Sequence, residues 1–186
     1  MNNSLVRLMG LDPGSNHCGV AVIEFDYTNL QLYRVTGTTL EAAKIKIPLA
    51  QDLVETHGER YVKTFSMGQA LKGLLEYYDP QQVCCESPFY HRLHPGAFAP
   101  LVESVYALRN AVAAFNPLIP FTTYEPLVIK KIMSGKAFAD KDLMRTSLLN
   151  NSEITAVLEV PVSQLSEHAI DAIAIAWTHL QLAFKR

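Results

Sequence analysis

Cysteine is scarce in this chain: Cys18, Cys84 and Cys85 are the only three among 186 residues. Three thiols cannot build a disulfide framework, and no second CxxC-type pair supports a zinc site. Adjacent Cys84 and Cys85 lie in an apolar run and read as small buried hydrophobes, so a reducing, cytoplasmic setting is expected. No stretch is apolar for long enough to span a membrane, so no membrane partner is expected. The segment MNNSLVRLMG has no basic region, long apolar core or cleavage site, so it is not expected to act as a signal peptide. An excess of one charge is also lacking. The formal net charge of −2 argues against nucleic acid as a partner unless the basic groups cluster. Internal repeats, low-complexity tracts and linkers are missing too.

What is present is an ordinary globular composition, 49% hydrophobic and 18% charged. The length fits a single domain, residues 1–186, able to bury a proper core. One local imbalance stands out. Between Pro126 and Thr146 lie Lys130, Lys131, Lys136, Lys141 and Arg145, against Asp140 and Asp142. They could form one basic face. Charge alone favours the plainer reading, a solvated helical surface.

The stretch that organises the rest is Leu5 to Gly19, LVRLMGLDPGSNHCG. A short apolar run climbs to Asp12 and stops at Pro13-Gly14, as a buried strand does. Asp12 is therefore expected at the carboxyl end of a central strand, where α/β sheets hold ligands. Gly19–Phe25 and Leu30–Leu40 read as two further strands of an antiparallel meander. Apolar spacing from Gly58 to Tyr78 predicts a helix, and Gln82–Glu86 a fourth strand. Ser87–Gly96 reads as a loop and Ala97–Phe115 as a helix. Phe121–Tyr124 is a fifth strand, and Pro126 opens another helix. Asp140 starts a helix to about Leu149, Asn150–Ser166 is irregular, and Glu167–Phe184 is a strongly apolar closing helix. The segment 42–57 reads as loop with a short helix.

The helix from Gly58 is a crossover, which places strand four parallel to a strand already in the sheet. If that strand is the first, Asp12 and Glu86 emerge side by side at one edge. On the last helix His168 and Asp171 are three apart and share a face. Their neighbours are apolar almost all round, so Asp171 is expected to be buried. Three carboxylates and an imidazole at one edge repel one another without a cation. Two Mg²⁺ ions about 3.5–4 Å apart would neutralise them and support phosphodiester hydrolysis. Each residue also has a plainer reading: Asp12 as a turn former, Glu86 as a loop cap, His168 and Asp171 as a local hydrogen-bonded pair.

The segments LMGLDPGSNHCGVAVIEFD, VCCESPFY and EHAIDAIAIAWTH resemble the three catalytic segments of the RuvC family of Holliday junction resolvases, in order and spacing across nearly the whole chain. The resemblance implies an α/β, ribonuclease H-like fold: a five-stranded mixed sheet, its first three strands antiparallel, flanked by helices. It implies metal binding and catalysis at Asp12, Glu86, His168 and Asp171. Many members carry aspartate where this chain has His168. Imidazole suits Mn²⁺ better than Mg²⁺, so His168 is either a ligand or the group that holds and deprotonates the attacking water. Functional lysines of the family are spaced eleven apart, as Lys130 and Lys141 are here, with Lys131 and Lys136 as competitors for the same role. A lysine near the scissile phosphate stabilises charge in the transition state. After Glu86, Phe89, Tyr90 and Arg92 suit stacking on unpaired bases and holding phosphates, with Lys131 and Lys136 as further DNA contacts. The family places an aromatic wedge at the position of Phe89; packing of Phe89 into the core is the competing reading.

The expected activity is metal-dependent cleavage of four-way DNA junctions by paired symmetric nicks, performed by a homodimer with no nucleotide cofactor. Other branched DNA, such as flaps or forks, is an alternative substrate. A non-catalytic DNA-binding module of the same fold is a second alternative. The turn after Asp12 also resembles the phosphate loop of actin-like ATPases, but those need two lobes and a second glycine-rich loop, and neither is present.

Overall fold

The computed structural model describes residues 4–90 and 95–185. Its centre is a five-stranded sheet of β1 (Leu5–Asp12), β2 (His17–Asp26), β3 (Leu32–Glu41), β4 (Gln82–Glu86) and β5 (Phe121–Tyr124). The strand order is β3-β2-β1-β4-β5. β1 to β3 form the antiparallel meander, and β4 and β5 join in parallel. This is the ribonuclease H-like arrangement the resemblance implies. β1 is the middle strand, and its register with β4 pairs Leu11 with Cys85, so Asp12 and Glu86 leave the sheet together.

Among the described residues seven α-helices accompany the strands: α1 (Ala50–His57), α2 (Glu59–Tyr78), α3 (Phe98–Phe115), α4 (Pro126–Ser134), α5 (Lys141–Asn150), α6 (Ser152–Thr155) and α7 (Glu167–His179). Side chains alternate along β1, so the sheet supports two cores. Met9 and Leu11 pack with Met67, Leu71 and Leu75 of α2 and Leu108 and Val112 of α3. Leu8 faces the other way, toward Ile173 and Ala176 of α7 and Met144 and Leu148 of α5. Among the described residues no helix is long and apolar enough to cross a membrane.

Three segments differ from the sequence expectation. The closing helix ends at His179, and Leu180–Phe184 continues as a wider π turn in which Phe184 packs edge-on against Phe25. The segment read as irregular holds α6 and a bridge from Leu158 to Val35 of β3. Asn151 caps α6 by accepting from the amide of Ile154, a local bond that hydrophobic periodicity does not reveal. Finally, the basic residues between Pro126 and Thr146 do not all stand on the solvated helical surface that charge alone favours. Arg145 turns back and donates to the carbonyls of Val162 and Leu165, tying down the approach to α7.

α7 lies unusually close to the sheet. Gly10 pairs with Ala21, and Ala21 with Gly37, so three strands present a row of small residues. A Cβ on Gly10 would fall 2.4 Å from the carbonyl oxygen of Ala172 and 2.8 Å from the amide of Ala176. A Cβ on Gly19 would fall 2.0 Å from the carbonyl oxygen of His168. Neither clash is tolerable against backbone, so both positions require glycine for the helix to seat.

Candidate metal and nuclease site

Asp12 closes β1 and Glu86 closes β4, while the start of α7 is laid across the same edge. Ser166 caps α7 by accepting from the amide of Ala169, and its hydroxyl meets that of Thr39 at 2.5 Å. Thr39 pairs with Gly19, which pairs with Asp12. One row of the sheet thus carries the acid, the glycine that admits the helix and the hydroxyl that anchors it. The Nδ1–H of His168 donates to Oδ2 of Asp12 at 2.7 Å.

The acids are held away from water. Asp12 is 8% exposed. Burial pushes Glu86 up to about 8, reinforced by the charges of Asp12 and Asp171 and by a hydrogen bond to Asp12. Burial and Asp12 likewise push Asp171 up to about 6, against the pull of His168, Lys130 and Lys141. His168 is raised as well, its imidazolium favoured by the hydrogen bond to Asp12. Three carboxyls in mutual repulsion, relieved only by an imidazole and two lysines, are a surplus of negative charge.

Such a donor set suits a hard divalent cation, which takes carboxylate oxygens and keeps waters. As the side chains stand, no three His, Cys, Asp or Glu among the described residues are grouped to hold one ion. Asp12 is engaged instead by His168 and Glu86.

The structure brings Asp12, Glu86, His168 and Asp171 together, and it sorts the lysines. Lys130 is half-buried on α4, and its charge bears on both Glu86 and Asp171. Lys141, at the start of α5, is tied to Glu167 by a short ion pair yet still acts on Asp171 and His168. Lys131 and Lys136 are exposed and contribute to neither acid's shift. Phe89 is 44% exposed and Tyr90 61% exposed, the latter edge-on to Phe98 at 6.0 Å. Arg92 lies outside the described residues.

Two contributors escaped the sequence reading. His17 stacks on His168, ring centroids 5.3 Å apart and planes 11° from parallel. Gly19 sets the depth at which α7 sits. Its signal was present in the sequence: glycine inside an apolar strand often marks a close backbone approach.

Residues 8–179 match the family model described as crossover junction endodeoxyribonuclease RuvC. A protein of that description from Azorhizobium caulinodans is 29% identical over 181 residues, covering 96% of this chain and 92% of that protein. One from Helicobacter pylori strain P12 is 27% identical over 176 residues, covering 95% and 97%. Among solved structures, Thermus thermophilus RuvC in complex with Holliday junction substrate superposes with a TM-score of 0.67 at 23% identity, covering 97% of this chain and 94% of that one. The yeast mitochondrial Holliday junction resolvase Ydc2 gives 0.64 at 15% identity, covering 97% and 80%.

Proposed function

The chain belongs to the RuvC family of crossover junction endodeoxyribonucleases, and from that premise we propose that it is a metal-dependent endonuclease resolving four-way DNA junctions. The observation that carries the reading is the in-register exit of Asp12 and Glu86 beneath the start of α7, which adds His168 and Asp171 to the same edge.

Asp12, Glu86 and Asp171 would hold the cations, with His168 beside them. Mg²⁺ fits three carboxylates with open positions for water and phosphate, and Mn²⁺ fits if His168 is a ligand. With divalent ions bound, the site supplies an activated water and stabilises the leaving oxygen. The protein's own groups do the rest. Asp12, central and nearly buried, bridges the acids and orients the His168 ring through Nδ1. That leaves Nε2 toward the half-open side, where it can hold the attacking water and take its proton. Lys130 places a positive charge between the acids and the incoming phosphate, where negative charge builds in the transition state. Lys141 does the same once it releases Glu167.

A closed two-fold dimer would set two such sites against two strands of like polarity, giving paired symmetric nicks. Selectivity would rest on phosphate positions and branch shape more than on sequence. The three cysteines are free and buried, which suits a reducing cytoplasm.

The test is cleavage of a synthetic immobile four-way junction, with and without Mg²⁺, beside duplex, flap, fork and single-stranded controls. Paired metal-dependent nicks in the junction alone are expected. Equal cutting of flaps and forks would widen the substrate to branched DNA. Tight junction binding without cleavage in Mg²⁺ or Mn²⁺ would leave only a binding module.

A further inference from the structure

Beside the acidic cluster opens a cavity of about 700 Å³, within the span of small-molecule clefts. Its walls include Phe89, Glu125, Lys130 and Phe138. Phe138 is 88% exposed, although it belongs to a short, firmly held connection between α4 and α5. The next residue, Ala139, is buried, and Asp140 caps α5 by accepting from the amide of Leu143. Ser134 pins the other end by accepting from the amide of Lys136. The ring is therefore presented to solvent by an anchored backbone.

We infer that this cavity receives one unpaired nucleobase of the strand being cut, with Phe138 as its stacking platform; the inference rests on the nuclease reading above. Three observations select a base over other occupants. Lys130 lines the cavity and also acts on Glu86 and Asp171, so the cavity and the cleavage site share a wall. A nucleotide whose phosphate meets Lys130 has its base within reach of the cavity. Glu125 is an exposed carboxylate in that cavity, which disfavours a phosphate there but accepts a hydrogen bond from an exocyclic amino group. Phe138 offers an aromatic face, on which any unpaired base stacks. Cytosine, adenine and guanine each carry an exocyclic amino group from which Glu125 can accept, and thymine does not, so the cavity discriminates against thymine as well as holding a base.

The experiment uses four-way junctions in which each nucleotide flanking the branch is replaced in turn by an abasic residue or by fluorescent 2-aminopurine. At one position, base loss is expected to slow wild-type cleavage roughly five- to hundredfold, the span of one lost stack. Phe138→Ala should slow cleavage of the intact junction by the same factor and be indifferent to the abasic residue, and Phe138→Trp should restore the rate. Glu125→Ala should erase the discrimination against thymine there. In EDTA, 2-aminopurine at that position should be quenched by wild type and not by Phe138→Ala, a readout independent of cutting. Cleavage by wild type without base dependence, or losses that simply add in Phe138→Ala, overturns the inference and spares the nuclease reading. Phe138-dependent quenching without cleavage does the reverse. A change in sedimentation of Phe138→Ala with base dependence intact would assign the ring to a protein contact and overturn the inference.

Discussion

His168 and His179 ride the same helix, eleven residues apart, and face opposite fates. At the far end of α7, His179 is 4% exposed and fully matched. Its Nε2–H donates to Oε1 of Gln82 at 2.5 Å, and its Nδ1 accepts from the hydroxyl of Tyr124 at 2.8 Å. Burial lowers its pKa, so it stays neutral. At the near end, His168 meets a carboxylate, its pKa rises, and three acids crowd behind it. One end is a closed polar network that ties α7 to β4 and β5. The other is an open electrostatic imbalance. A buried polar group with every bond made is structure, whereas surplus like charge at a half-open edge marks a candidate site.

The largest effect should come from the open end. Asp12→Asn is expected to reduce junction cleavage by at least about a hundredfold, the scale of losing one charge-stabilising group. Junction binding should be nearly unchanged. The same variant removes the main cause of the raised His168 pKa, so an NMR titration of metal-free protein should show that pKa falling. Normal cleavage by Asp12→Asn would dissolve the contrast between the two ends.

At the closed end, His179→Leu leaves Tyr124 and Gln82 without their partner. It should cost about 1–3 kcal/mol of stability by denaturant unfolding. Cleavage per folded molecule at saturating metal should be retained. A selective loss of cleavage without loss of stability would show that the network does more than hold the helix.

The two ends should also answer pH in opposite directions. Glu86 and Asp171 have raised pKa values, so their ionisation costs folded-state stability. That cost sets in as pH rises above the unfolded values near 4, and is complete past about 6 for Asp171 and about 8 for Glu86. His168, also raised, contributes stability below its unfolded value near 6.5 that is lost as pH climbs through its folded pKa. His179, lowered, contributes above about 6.5 and loses that as pH falls. The melting temperature of metal-free protein should drop between about pH 6 and about pH 9, and Mg²⁺ should restore it more at the higher pH. Glu86→Gln should flatten the drop. An equal Mg²⁺ effect at both pH values would separate cation binding from these acids.

The smallest effect concerns Lys141. Its exposed pair with Glu167 contributes little to stability, because solvent screens it. Glu167→Gln should release Lys141 and tighten junction binding by less than about fivefold, more at low salt than at high. Weaker binding would assign Glu167 a direct role at the site.

Local pattern was enough to place the strands, most helix bounds and the acids at their ends, because apolar periodicity and Pro-Gly stops act over a few residues. The strands Gln82–Glu86 and Phe121–Tyr124 stand where the sequence reading put them, and Pro126 opens α4. Short-range pattern does not report where groups distant in sequence meet. Net charge pointed away from a nucleic-acid partner, since a sum over the chain is blind to where Lys130 and Lys141 come to rest. Spacing could not separate Lys130 from Lys131, one residue apart, because only the seating of α4 against α7 turns one toward Glu86 and leaves the other in solvent. The stack of His17 on His168, the diversion of Arg145 to the carbonyls before α7, and the cavity between Phe89 and Phe138 arise from elements packed across long sequence separations. The sequence by itself determined which acids end which strands and which residues of α7 share a face. Only the tertiary structure decided how deeply α7 settles, through Gly10 and Gly19. That depth drives Asp171 and His168 onto Asp12 and Glu86, out of water, where their charges no longer ignore one another.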